Sequence, residues 1–123
     1  MRKDLMDYIC SLHGYLIRLK EIHWNTDSDA EHHLCDEISD ALGDCEDEFT
    51  ECAMGLYGEK VKVGDLRPLL PRAESLKPML EELLDETVKM KEDLSKGKEA
   101  GLGAVLDDII KLANKYSYRS TQK

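Results

Sequence analysis

Six ionisable residues stand out by type and spacing: His23, His32, His33, Asp36, Asp47 and Glu51. Mixed imidazole and carboxylate donors suit Fe(II), Mn(II) or Zn(II). On a helix turning about 100° per residue, with His32 as the reference, Asp36 lies at about 40°, Asp47 at about 60° and Glu51 at about 100°. The apolar residues of the same segment centre at about 240°, on the opposite side. This His/carboxylate stripe therefore faces away from its own core, towards solvent or a second subunit. Gly43, at about 20°, falls inside the arc and could let another backbone approach. Spacing alone favours the plainer of the two outcomes, a solvated acidic face. His23 lies on an apolar face, where a satisfied core histidine is the usual occupant. His33 is about a quarter-turn from His32 and is the weaker donor, and His13 suits packing or hydrogen bonding.

Other chemistry has no carrier. Glycine-rich phosphate loops, nucleophile elbows and CxxC knuckles are absent. No histidine follows residue 33. A metal centre built inside a bundle from all four helices, with a Glu-x-x-His pair in each half, is therefore not expected.

Four helices must position these groups, and their apolar periodicity places them. The first spans about Lys3 to Thr26, with Leu5, Ile9, Leu12, Leu16, Leu19 and His23 on one face. The second spans about Asp29 to Tyr57, capped by Ser28 or Asp29 and ended by Gly58. Leu34, Ile38, Leu42, Cys45, Phe49, Cys52 and Leu56 form its stripe, with Ala41. The third spans about Ser75 to Lys96, turning Leu76, Leu80, Leu83, Thr87, Met90 and Leu94 inward, with Pro78 in its first turn and Gly97 closing it. The fourth spans about Ala100 to Tyr118, with Leu102, Val105, Leu106, Ile109, Leu112, Ala113 and Tyr116 inward. Residues 59–73 hold Gly64, Pro68 and Pro71 and make the longest connector. Its Val61, Val63, Leu66, Leu69 and Leu70 suggest a segment packed across the bundle, with one short helical turn. Two hairpins joined by such a crossover make an all-α, antiparallel four-helix bundle in a single domain.

Composition bounds the function. The chain has 123 residues, with 26 acids against 17 bases and a net charge of -9. No basic patch is available to displace counterions from a nucleic acid. No run approaches the roughly 18 apolar residues of a membrane span. The first seven residues are charged and amphipathic, unlike a signal peptide, so a cytoplasmic location is expected. Cys10, Cys35, Cys45 and Cys52 read as reduced core thiols.

Three segments in order, His23-Trp24, His32-x-x-x-Asp36 and Asp47-x-x-x-Glu51, resemble the ferroxidase segment of the Dps mini-ferritins, of the ferritin-like superfamily. The likeness covers about residues 10–58. It implies a ferritin-like bundle in which His23, His32 and Asp36 bind iron together with Asp47 and Glu51 of a partner subunit, across a two-fold interface. It further implies Fe(II) oxidation by peroxide or dioxygen for iron storage or protection from oxidative stress, in a homodimer or larger assembly. Zinc or manganese could occupy the same ligands. No basic segment precedes the first helix, so DNA binding is not implied. The alternative function is a non-catalytic ferritin-like bundle serving as an interaction or structural module. A third, resting on net charge alone, is an acidic adaptor for a basic partner.

Overall fold

The computed structural model describes residues 1–94 and 96–122; Ser95, within the expected third helix, and Lys123 lie outside the described residues. The α-helices are α1 (Lys3–Asn25), α2 (Asp29–Tyr57), α3 (Leu76–Asp93) and α4 (Gly103–Arg119). Short 3-10 turns occupy Val63–Asp65 and Gly97–Leu102. No described helix is long and apolar enough to cross a membrane.

Local chemistry sets the boundaries. The Ser28 hydroxyl accepts the Glu31 N–H at 3.2 Å and caps α2, as expected of a serine before an acidic first turn. Gly58 ends α2 with φ of +64°, a left-handed turn that glycine makes without a Cβ penalty. The third helix is shorter than its periodicity implied. It is capped at Leu94, and Gly97, also at φ +64°, opens the 3-10 turn that delays α4 to Gly103.

α1 pairs with α2, α3 with α4, and the two hairpins join through α1·α3 and α2·α4. Side chains fix the directions. His13 meets Glu46 and His23 meets His32, so α1 and α2 run antiparallel. Tyr8 meets Thr87 and Tyr15 meets Glu86, so α1 and α3 do too. Arg119 reaches Glu37 at 2.6 Å, which orients α4 against α2. The chain therefore runs up, down, down and up, and residues 59–75 must climb the full height of the bundle.

That strap climbs along α1. The Leu69 N–H donates to the Cys10 carbonyl at 3.1 Å, and the Cys10 thiol to the Asp65 carbonyl at 3.3 Å. Arg18 donates to the Pro71 carbonyl at 3.1 Å. Gly14, midway, is buried beneath it, and a Cβ there would stand 2.0 Å from the Leu69 oxygen. The strap meets α1 by its backbone more than by its apolar side chains. Val61, Leu66 and Ala73 are half-buried and Pro71 is buried, while Val63, Leu69 and Leu70 remain exposed. Glu82 fastens its upper end by accepting the Arg72 and Ala73 N–H groups at 2.9 and 3.0 Å.

The core draws on all four helices, and every inward residue expected of the third and fourth is buried. Two corrections concern the other pair. Cys52, expected in the apolar stripe of α2, is exposed, and Ala53 takes its inward place. In α1, Tyr8 and Tyr15 are buried in addition to the aliphatic face, and Leu16 is only half-buried. Their hydroxyls explain how they can be: Tyr8 pairs with Thr87 at 2.7 Å, and Tyr15 donates to Glu86 at 2.8 Å. Both phenols are pushed well above the ordinary tyrosine value, foremost by burial, and stay neutral.

Candidate functional site

The tight turn between α1 and α2 brings His23 and His32 together. Their rings stack with centroids 3.8 Å apart and planes 19° from parallel. The bonding is reciprocal: His23 Nδ1 lies 2.9 Å from the His32 carbonyl, and His32 Nδ1 lies 2.9 Å from the His23 carbonyl. A carbonyl only accepts, so each Nδ1 carries the proton when the ring is neutral. The Nε2 lone pairs then remain for another partner, the tautomer that backbone-oriented histidines present to metals. The sequence contained the two histidines but gave no sign of this mutual latch, which depends on the brevity of residues 26–28.

Asp36 stands one turn below His32, and its Oδ1 is 3.4 Å from His23 Nδ1. The carboxylate is on the Nδ1 side, opposite the free Nε2, where it orients the ring instead of sharing an ion with it. The stack constrains the donors further. Lone pairs lie in the ring planes, and nearly parallel planes do not converge on a common point about 2.0–2.1 Å from both nitrogens. One ion can therefore take one of these imidazoles, not both. Among the described residues, no three His, Cys, Asp or Glu side chains gather closely enough to hold a metal. The donor types fit a transition metal; one chain alone does not assemble the set.

Asp47 and Glu51 are exposed, on the same outward arc of α2 as Asp36. Asp47 lies eleven residues beyond Asp36, about 16 Å along the axis at 1.5 Å per residue. The structure thus brings His23, His32 and Asp36 together, and leaves Asp47 and Glu51 apart from them in the same chain. His33 is largely exposed; it faces Asp29 at 3.4 Å and meets the His32 ring edge-on, with centroids 5.6 Å apart.

The thiols offer no alternative donors at the latch. Burial foremost pushes Cys35 and Cys45 up to about 11, so they stay protonated at neutral pH and are poor ligands.

Between α1 and α2, the half-buried Glu46 pairs with His13 Nδ1 at 3.3 Å. Burial raises its carboxyl above the ordinary glutamate value, and His13 offsets part of that rise. The native state therefore holds this proton more readily than the unfolded chain. Its stabilising contribution is present at acid pH and is lost as pH rises through the raised value. Glu46→Gln removes that loss, so the variant should gain on the wild type as pH rises through the raised value. Urea unfolding at several pH values checks this; parallel stability curves would refute it.

A family model described as a family of unknown function (DUF5856) matches residues 23–119, and the chain belongs to that family. The matched region begins at His23 and contains all five candidate ligands. No curated protein and no solved structure matches the chain.

Proposed function

We propose that this DUF5856 chain is a ferritin-like iron-binding protein that oxidises Fe(II) at a His/carboxylate site completed between two copies of itself. The carrying observation is the His23/His32 latch, in which both Nδ1 atoms are held by carbonyls and both Nε2 atoms remain available. The single long crossover along α1 supports the ferritin-like assignment, since one such connection distinguishes that class from simple up-and-down bundles.

Symmetry arithmetic supports the two-chain site. A two-fold axis crossing α2 midway between positions 41 and 42 exchanges position 32 with 51 and position 36 with 47. The donors of one copy then face the carboxylates of the other, as an isologous interface requires. Gly43 lies beside that axis, on the outward arc, and a Cβ there would meet nothing within 4 Å. Iron is the substrate. Two Fe(II) ions each give one electron to a peroxide, which takes up two protons and leaves as two waters. The chain's task is to supply one imidazole per ion, oriented through its Nδ1–H, and carboxylates that favour the more highly charged product ion.

One observation favours a second reading, a non-catalytic interaction or structural module: among the described residues of one chain, no three-donor group is found. Ferroxidase kinetics separate the two. Chelator-stripped protein receives Fe(II) without oxygen, then hydrogen peroxide, and Fe(III) absorbance is followed. Asp47→Ala/Glu51→Ala should slow oxidation by more than the roughly 10–100-fold typical of outer-sphere losses at metal sites. Both side chains are exposed, so the fold should be unaffected, within about 0.5 kcal/mol. Equal rates in wild type and variant would leave the module reading standing.

A further inference from the structure

At the end of the bundle where α2 and α3 begin and α4 finishes, the helices enclose an open-mouthed cavity of about 580 Å³. That volume lies within the roughly 300–1,000 Å³ of small-molecule sites. Its floor is apolar: Leu76 is buried, Leu34 is half-buried, and both pack into the core. Its wall carries charges of both signs, Glu31, Glu37 and Arg119. Arg119 is held from two sides. Its Nη1 donates to Glu37 Oε2 at 2.6 Å, and its guanidinium carbon lies 5.4 Å from the centre of the Tyr116 ring. The pair is only half spent. Among the described residues, nothing accepts from the Arg119 Nη2 or Nε, and nothing donates to Glu37 Oε1. Glu31 forms no ion pair with a described residue either.

We propose that this cavity binds a small zwitterion with an apolar body, of the class of apolar α-amino acids and their dipeptides. The charge pattern selects that class. A simple anion would meet Glu31 and Glu37, and a simple cation would meet Arg119. An α-amino acid carries its carboxylate and ammonium side by side, as Arg119 and Glu37 stand side by side. Laid head to tail against them, its carboxylate accepts from the Arg119 Nη2 and Nε, a planar fork that matches two oxygens. Its ammonium donates to Glu37 Oε1 and to Glu31. Its side chain then covers Leu34 and Leu76, where leaving water adds affinity without direction. Glu37 and the Tyr116 face already restrain the guanidinium, so little of its side-chain freedom is left to lose on binding. None of these groups belongs to the candidate iron ligands, so the site stands apart from that chemistry.

An NMR titration of the full chain tests this, reading the Leu34 and Leu76 methyl groups. The probes are L-phenylalanine, hydrocinnamate, which lacks the ammonium, phenethylamine, which lacks the carboxylate, and glycine, which lacks the apolar body. L-Phenylalanine should shift both methyls and saturate with a Kd on the order of 1 mM, as suits a ligand of that size. The other three should bind at least about tenfold more weakly. The charge variants should exchange the preference. Arg119→Gln should bind L-phenylalanine about tenfold more weakly and come to prefer phenethylamine. Glu31→Gln/Glu37→Gln should come to prefer hydrocinnamate. The Glu37–Arg119 pair is largely exposed, so the fold should persist without it. Lys115→Gln, outside the cavity, should bind as the wild type does. Unmoved Leu34 and Leu76 methyls at ten times the expected Kd overturn the proposal. So do half-ligands that bind as tightly as L-phenylalanine, and charge variants that keep the wild-type order of preference.

Discussion

Gly14→Ala should destabilise the protein by about 2–3 kcal/mol and lower its Tm by about 10 °C. In an ordinary exposed helix the same change gains up to about 1 kcal/mol, because alanine restricts the unfolded chain and favours the helix. Here the added methyl would stand 2.0 Å from the Leu69 carbonyl oxygen and 2.6 Å from its carbon. The obstruction is backbone, so no rotamer change relieves it. The strap must lift, and the Leu69 bond to Cys10, worth about 1 kcal/mol, goes with it. Gly55 is the internal control: it lies within α2, and a Cβ there meets nothing within 4 Å. Gly55→Ala should gain about 0.5–1 kcal/mol. Thermal unfolding of the two variants should diverge in sign; a Gly14→Ala protein as stable as the wild type would mean that the strap does not lie on α1 as described.

Phe49→Ala should cost about 4 kcal/mol, a large part of the roughly 5–15 kcal/mol that stabilises a domain of this size. Phe49 is fully buried and meets Tyr8 edge-on at 5.3 Å, with ring planes 69° apart. Such pairs contribute about 0.5–1.5 kcal/mol beyond burial. Tyr8 in turn holds Thr87, so one row of side chains links α2 to α1 and α1 to α3. Phe49 also sets the rotation of α2 about its axis, which points Asp47 and Glu51 outward. Urea unfolding should show a lower midpoint at an unchanged slope. A loss below about 1 kcal/mol would contradict this role.

The helical architecture was legible because apolar spacing reports burial directly. α2 runs from Asp29 to Tyr57 as its caps foretold, and the inner faces of α3 and α4 could be named residue by residue. Misreadings arose where a neighbour decides. Tyr8 and Tyr15 are buried because hydroxyl partners wait on α3, some seventy residues away in sequence. Gly14 looks like an unfavourable helix residue until the strap above it is known. Cys52, at about 200° on the wheel, falls within the stripe centred at about 240° and is nevertheless exposed, while Ala53, at about 300°, is buried, so the wheel alone does not separate them. For the candidate site, the wheel placed Asp36, Asp47 and Glu51 outward, and they are exposed. It did not foresee that His23 and His32 would hold each other's carbonyls, because a helical wheel treats one helix at a time.

The strap has a mechanical consequence. It lies on α1 and is fastened to α3 by Glu82, so it spans the joint between the two hairpins on one side only. On the other side, α2 and α4 enclose an open groove floored by Cys45, Leu112 and Tyr116. The molecule is bound like a book, with residues 59–75 as its spine. At the fore-edge the halves meet by side chains alone, Arg119 of α4 reaching Glu37 of α2.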